Sequence, residues 1–149
     1  MTAAVRVIGV GHPDRGDDAA GLLVARALAG RLPCSVEVYE CGGDLLNLIE
    51  VWRGADRVVV VDAMLSGLPP GTVHVLEPAS AAAAANLPLS NHGFGLSEAI
   101  ALARALDALP RRLVIVAIEG TGFEAGGGLS PEVRAAVDEA AEMLVEALT

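Results

Sequence analysis

Two adjacent carboxylates, Asp17 and Asp18, sit near the end of a glycine-rich stretch that runs from Gly9 through Gly11, His12, Asp14 and Gly16 to Gly21. The stretch follows an apolar run, Ala4 to Ile8, and leads into an amphipathic segment. A glycine turn at the end of a first strand is where open α/β sheets build binding sites and chemistry. A dinucleotide loop would need a third glycine where Asp14 stands, so the GxGxxG reading fails. Two acids at a helix start would also repel a phosphate. The turn suits a cation.

Two further residues could share it. Asp62 ends the apolar run Val58-Val59-Val60-Val61, and His92 stands in Ser90-Asn91-His92-Gly93, just before an expected helix. Each has a plain structural alternative. Asp17 and Asp18 can cap helix N–H groups, Asp62 can be a turn residue, and His92 can be a capping or surface histidine. Parallel strands bring their carboxyl ends to one edge, where Asp18, Asp62 and His92 can converge. Two carboxylates and an imidazole make a mixed oxygen and nitrogen set suited to zinc or nickel. Three protein ligands leave positions open for water or another molecule.

The elements that must position these residues alternate along the chain. Strands are expected at Ala4–Gly11, Ser35–Glu40, Arg57–Asp62, Thr72–Glu77 and Arg112–Ile118. Runs such as Val58 to Val61 and Leu113 to Val116 suit parallel strands covered on both faces. A first helix carries Ala20, Leu23, Val24, Ala27 and Leu28 on one stripe and stops near Pro33. A second spans about 44–53, with Gly54 as its C-terminal cap. A third spans about 94–109 and is apolar almost all round, which suggests packing on more than one side. The last has Ser130 as N-cap and Pro131 at its first position. Its apolar face is Val133, Val137, Ala140, Leu144 and Leu148, with Glu139, Glu142 and Glu146 toward solvent.

The stretch from Ala63 to Gly71, with Pro69-Pro70-Gly71, is too short for a parallel crossover, which takes a dozen or more residues. The fourth strand should therefore run antiparallel, at an edge. The expected architecture is one α/β domain over residues 1–149. It has three layers: a mostly parallel five-stranded sheet with one antiparallel edge strand, and helices on both faces.

Composition narrows the function classes. The formal net charge of −9 argues against nucleic acid. All ten basic residues are arginine, which excludes Schiff-base and P-loop lysines. No apolar run reaches the ~20 residues of a membrane span, and Arg6 within the first strand is unlike a signal peptide. A soluble cytoplasmic protein is expected. Cys34 and Cys41 bracket the second strand, and seven extended residues reach roughly 23 Å. They are expected to be small, reduced core residues and not a disulfide. His74 falls mid-strand and reads as structural. No GxSxG elbow occurs, and neither cysteine has an evident histidine partner.

Taken together, Gly9-Val-Gly11, Gly16-Asp17-Asp18 with Gly21, Val-Val-Asp62-Ala and Ser90-x-His92 resemble the maturation endopeptidases of nickel–iron hydrogenases. The resemblance runs in matching order from Val5 to the final helix. It implies an α/β endopeptidase that removes a C-terminal extension from the hydrogenase large-subunit precursor after nickel insertion. Asp18, Asp62 and His92 then correspond to the metal-binding and catalytic positions. Nickel would be supplied by the substrate, with zinc or cadmium able to substitute. Asp17 matches the preceding acidic position as a supporting residue, and Gly42-Gly43-Asp44 matches a turn near the cleft. The chain departs from the pattern at His12, where asparagine is usual; His12 could replace its hydrogen bonds or add a ligand. The rival readings are a non-proteolytic nickel-binding or docking factor for hydrogenase assembly and a nucleotide-binding domain, the latter disfavoured by Asp14 and the acid pair.

Overall fold

In a computed structural model, described over residues 4–42, 45–77, 96–122 and 128–149, the chain forms one five-stranded sheet. Its strands are β1 (Val5–Val10), β2 (Val36–Cys41), β3 (Arg57–Met64), β4 (Val73–Leu76) and β5 (Arg112–Glu119), in the order β2-β1-β3-β5-β4. The first three and β5 are parallel; β4 runs antiparallel to β5 at the edge, as the short Ala63–Gly71 connection requires.

Among the described residues, four α-helices cover the two faces: α1 (Ala20–Leu28), α2 (Leu45–Trp52), α3 (Leu96–Ala105) and α4 (Pro131–Leu148). Alternation along the strands sorts the core into two halves. Ile8, Val58, Val60 and Ile115 pack with Leu48, Trp52 and Ile100 of α2 and α3. Val7, Val59, Val61 and Ile118 pack with Val24, Leu28, Val137 and Leu144 of α1 and α4. Complete burial of the β3 residues Val58 to Val61 explains their unbroken hydrophobicity.

Two glycines set how closely α1 lies on the sheet. A Cβ on Gly21 would stand 2.3 Å from the carbonyl oxygens of both Val10 and Val61, and one on Gly9 2.3 Å from the Gly21 carbonyl oxygen. Only hydrogen fits between helix and strands here. This contact draws the start of α1, and the acids before it, onto the ends of β1 and β3.

The chain leaves β1 toward β2 in one direction and returns past it to β3 in the other. The gap between the carboxyl ends of β1 and β3 is therefore the topological switch point of the sheet, the usual ligand site in such folds.

Three expectations need correction. Helix α3 buries one face, through Leu96, Ala99, Ile100 and Ala103, while Glu98, Ala101, Arg104 and Ala105 are exposed. Its apolar character reflects alanine content and not packing on several sides. Cys34 is exposed and only Cys41 lies in the core; both are free thiols. Ser130 occupies the N-cap position of α4 but makes no capping bond, because its hydroxyl is used elsewhere.

Candidate active site

The turn after β1 is shaped by backbone contacts before its acids are placed. The Gly11 N–H donates to the Cys41 carbonyl at 3.1 Å, tying the turn to the end of β2. Gly16 adopts a left-handed φ of 55°, where a side chain would be strained. Residues Gly16–Ala19 then form one 3-10 turn that runs directly into α1. Neither this turn nor α1 has a side-chain cap. Neither Asp17 nor Asp18 occupies an N-cap position; both stand within the first turn itself.

Asp17 faces the segment between β5 and α4. The Thr121 N–H donates to its Oδ2 at 2.8 Å and the Thr121 hydroxyl at 2.9 Å. The Ser130 N–H donates to Oδ1 at 2.8 Å, and the Ser130 hydroxyl reaches both oxygens at 3.0 and 3.1 Å. Burial alone would raise the Asp17 carboxyl, but these bonds from Thr121 and Ser130 outweigh it and hold it below the usual range. The Asp17 N–H also donates to the Gly122 carbonyl at 3.0 Å. Asp17 is thus a fixed, ionised clamp, with both carboxylate oxygens engaged.

Asp18 lies near enough to Asp62 for its charge to act on that carboxyl. Both carboxylates are buried, at 2% and 1% exposure. Asp62 belongs to the α2 and α3 face of β3, and its Oδ1 accepts the Ala63 N–H at 2.8 Å. Its Oδ2 is buried without a hydrogen-bond partner among the described residues. Burial pushes the Asp62 carboxyl well above the usual carboxylate range; the Ala63 bond opposes this, and the charge of Asp18 adds to it. At the switch point, then, the charge of Asp18 disfavours ionisation of the buried Asp62.

That donor chemistry fits a divalent cation, with Asp18 and Asp62 as two oxygen ligands. Among the described residues no group of three His, Cys, Asp or Glu side chains could hold a metal ion. The third expected ligand, His92, lies outside the described residues, as does Gly43. His12 is half-buried at the turn, and its carbonyl accepts the Arg15 N–H at 3.4 Å. Gly42 is exposed beside the end of β2. His74 lies half-buried in β4, at the sheet edge and away from the switch point.

One buried acid escaped the sequence reading. Glu119, 1% exposed, ends β5 and stands in register with Met64. Its carboxylate accepts the Ser66 N–H at 2.9 Å and the Ser66 hydroxyl. The Glu119 N–H and carbonyl also bond Thr72 and Gly71. It fastens the chain leaving β3 at Ser66, four residues past Asp62. The available signal was the one that marked Asp62: an acid closing an unbroken apolar strand.

Comparison with known proteins places this geometry. Residues 22–147 match the HycI hydrogenase maturation protease family model. The chain is 29% identical over 147 residues to the hydrogenase 2 maturation protease of Escherichia coli, covering 97% of this chain and 90% of that one. It superposes on the hydrogenase maturating endopeptidase HybD from E. coli with a TM-score of 0.83 at 28% identity, over 97% and 91% of the two chains. The [NiFe] hydrogenase maturation protease HybD from Thermococcus kodakarensis gives 0.80 at 29% identity, over 97% and 99%. With the family model matched over residues 22–147 and these relatives aligned over nearly its whole length, the chain belongs to the hydrogenase maturation protease family.

Proposed function

We propose that this protein cleaves the C-terminal extension from a nickel–iron hydrogenase large-subunit precursor once nickel is in place, and reads that nickel as part of its substrate. The observation that carries the reading is the buried, mutually repelling pair Asp18 and Asp62 at the switch point. At rest the pair is a poor place for two negative charges. A cation brought by the substrate removes the repulsion and lets both carboxylates ionise, with release of the proton that burial had retained on Asp62. With His92 as third ligand, the substrate metal would anchor the adjoining peptide at this edge.

Peptide hydrolysis then requires a water to attack the scissile carbonyl, its proton passing to a nearby base and a proton reaching the departing amine. The candidate bases are the carboxylates of Asp18 and Asp62. Binding by the metal makes the arrangement a checkpoint, since an empty precursor brings no cation to the two acids.

The test uses precursor loaded with nickel and precursor without it, followed by mass spectrometry. Removal of a C-terminal segment from the loaded form alone is expected. Cleavage of both forms alike would remove nickel from the reading. Nickel-dependent association without cleavage of either would favour the docking-factor alternative.

A further inference from the structure

Beside the turn that carries the acid pair lies a second feature, on the face covered by α1 and α4. A cavity of about 230 Å³ is bounded by Gly16 and Ala19 of the turn, Leu22 and Arg26 of α1, and Leu129 and Arg134 at the start of α4. Its walls combine aliphatic surface with two guanidinium groups. Arg6, Arg31 and Arg112 are committed to Glu37, Glu142 and Glu77. Arg26 engages Glu40 through Nε and Nη2, at 3.1 and 3.0 Å, which leaves its Nη1 edge. Arg134 is exposed and has no ion-pair partner among the described residues. Arg134 thus brings to the cavity a guanidinium with no ion-pair partner among the described residues, beside the aliphatic Leu22 and Leu129.

We propose that this cavity is a subsite for the peptide substrate and receives an acidic side chain flanked by an apolar residue. The assignment rests on the proteolytic reading above for the identity of the occupant. Charge complementarity supplies the first argument: a carboxylate meets Arg134 and the free edge of Arg26, a fork suited to carboxylates. The neighbouring aliphatic side chain covers Leu22 and Leu129. Continuity supplies the second. Gly16 and Ala19 line the cavity while Asp17 and Asp18, between them, belong to the clamp and the candidate site. A chain seated here lies against the outer wall of the turn whose inner side carries Asp18. The Asp17 clamp on Ser130 holds the start of α4 in place, and with it Leu129 and Arg134.

Binding can be read without cleavage or nickel, which separates this inference from the proteolytic one. The probes are acetyl-Leu-Glu-Leu-amide and its glutamine counterpart, titrated into the ¹⁵N-labelled full chain by NMR. The glutamate peptide is expected to shift the amides of Gly16, Ala19, Arg26 and Gly128 and to bind about fivefold more tightly than the glutamine peptide. Arg134→Glu should abolish that preference, Arg134→Lys should keep part of it, and Arg111→Glu, a charge change on the exposed end of β5, should leave it intact. Equal binding of the two peptides, or a preference that survives Arg134→Glu, would overturn the assignment. So would equal losses in Arg134→Glu and Arg111→Glu, which would mean only long-range charge.

Discussion

Asp18, in the 3-10 turn that follows β1, and Asp62, in β3, are both buried, and the charge of Asp18 helps to raise the Asp62 carboxyl. Their neighbour Asp17 has the same side chain and a different fate, with both oxygens engaged by Thr121 and Ser130. One acid pair in the chain thus serves two purposes. Asp17 holds the frame and Asp18 faces the candidate site.

The Asp62 carboxyl binds its proton more tightly in the folded chain than in the unfolded one. The folded state therefore carries more protons, and its stability falls as pH rises above the ordinary carboxylate range. Asp62→Asn keeps an acceptor for the Ala63 N–H and removes this penalty. Thermal unfolding should show the variant gaining on the parent between about pH 4 and pH 7. A pH-independent difference would count against a protonated Asp62.

Asp17 has the opposite sign. Its lowered carboxyl stabilises the fold above the ordinary carboxylate range, and the contribution is lost as pH falls through the folded value. Asp17→Ala should cost about 3 kcal/mol in urea unfolding, as buried hydrogen bonds to a charged group are lost. Asp17→Asn should rescue little, because its amide group turns a donor toward the N–H of Thr121 or Ser130.

Gly21→Ala tests the contact that brings the acids to the sheet. The new methyl would meet two backbone oxygens at 2.3 Å, and neither can rotate away. A loss of about 3 kcal/mol or more is expected by denaturant titration, in the range of severe steric substitutions. Gly54→Ala at the end of α2, where nothing lies within 4 Å but φ is 84°, should cost only about 1 kcal/mol.

Much of this arrangement was legible in the residues. The valine run before Asp62 marks a strand buried on both faces, and the brevity of the Ala63–Gly71 connection fixes β4 as antiparallel. The role of Asp17 was not legible. Its partners Thr121 and Ser130 are far away in sequence, and a helix-start aspartate reads first as a cap. Glu119 stayed hidden because its partner, Ser66, sits in a connection with no periodicity to read. The cavity at Arg26 and Arg134 depends on the crossing of α1 with α4, which no local pattern encodes.

In the proposed function, Asp18 and Asp62 act together on a nickel-bearing precursor. The direct measurement is the cleavage rate of nickel-loaded precursor by the parent, Asp18→Asn, Asp62→Asn and the double variant, with folding checked by thermal unfolding. A loss on the order of a hundredfold or more is expected in each folded single variant. The double variant should be scarcely worse than either, since residues acting as one unit are not additive. Cleavage near the parental rate by either single variant would contradict that joint action.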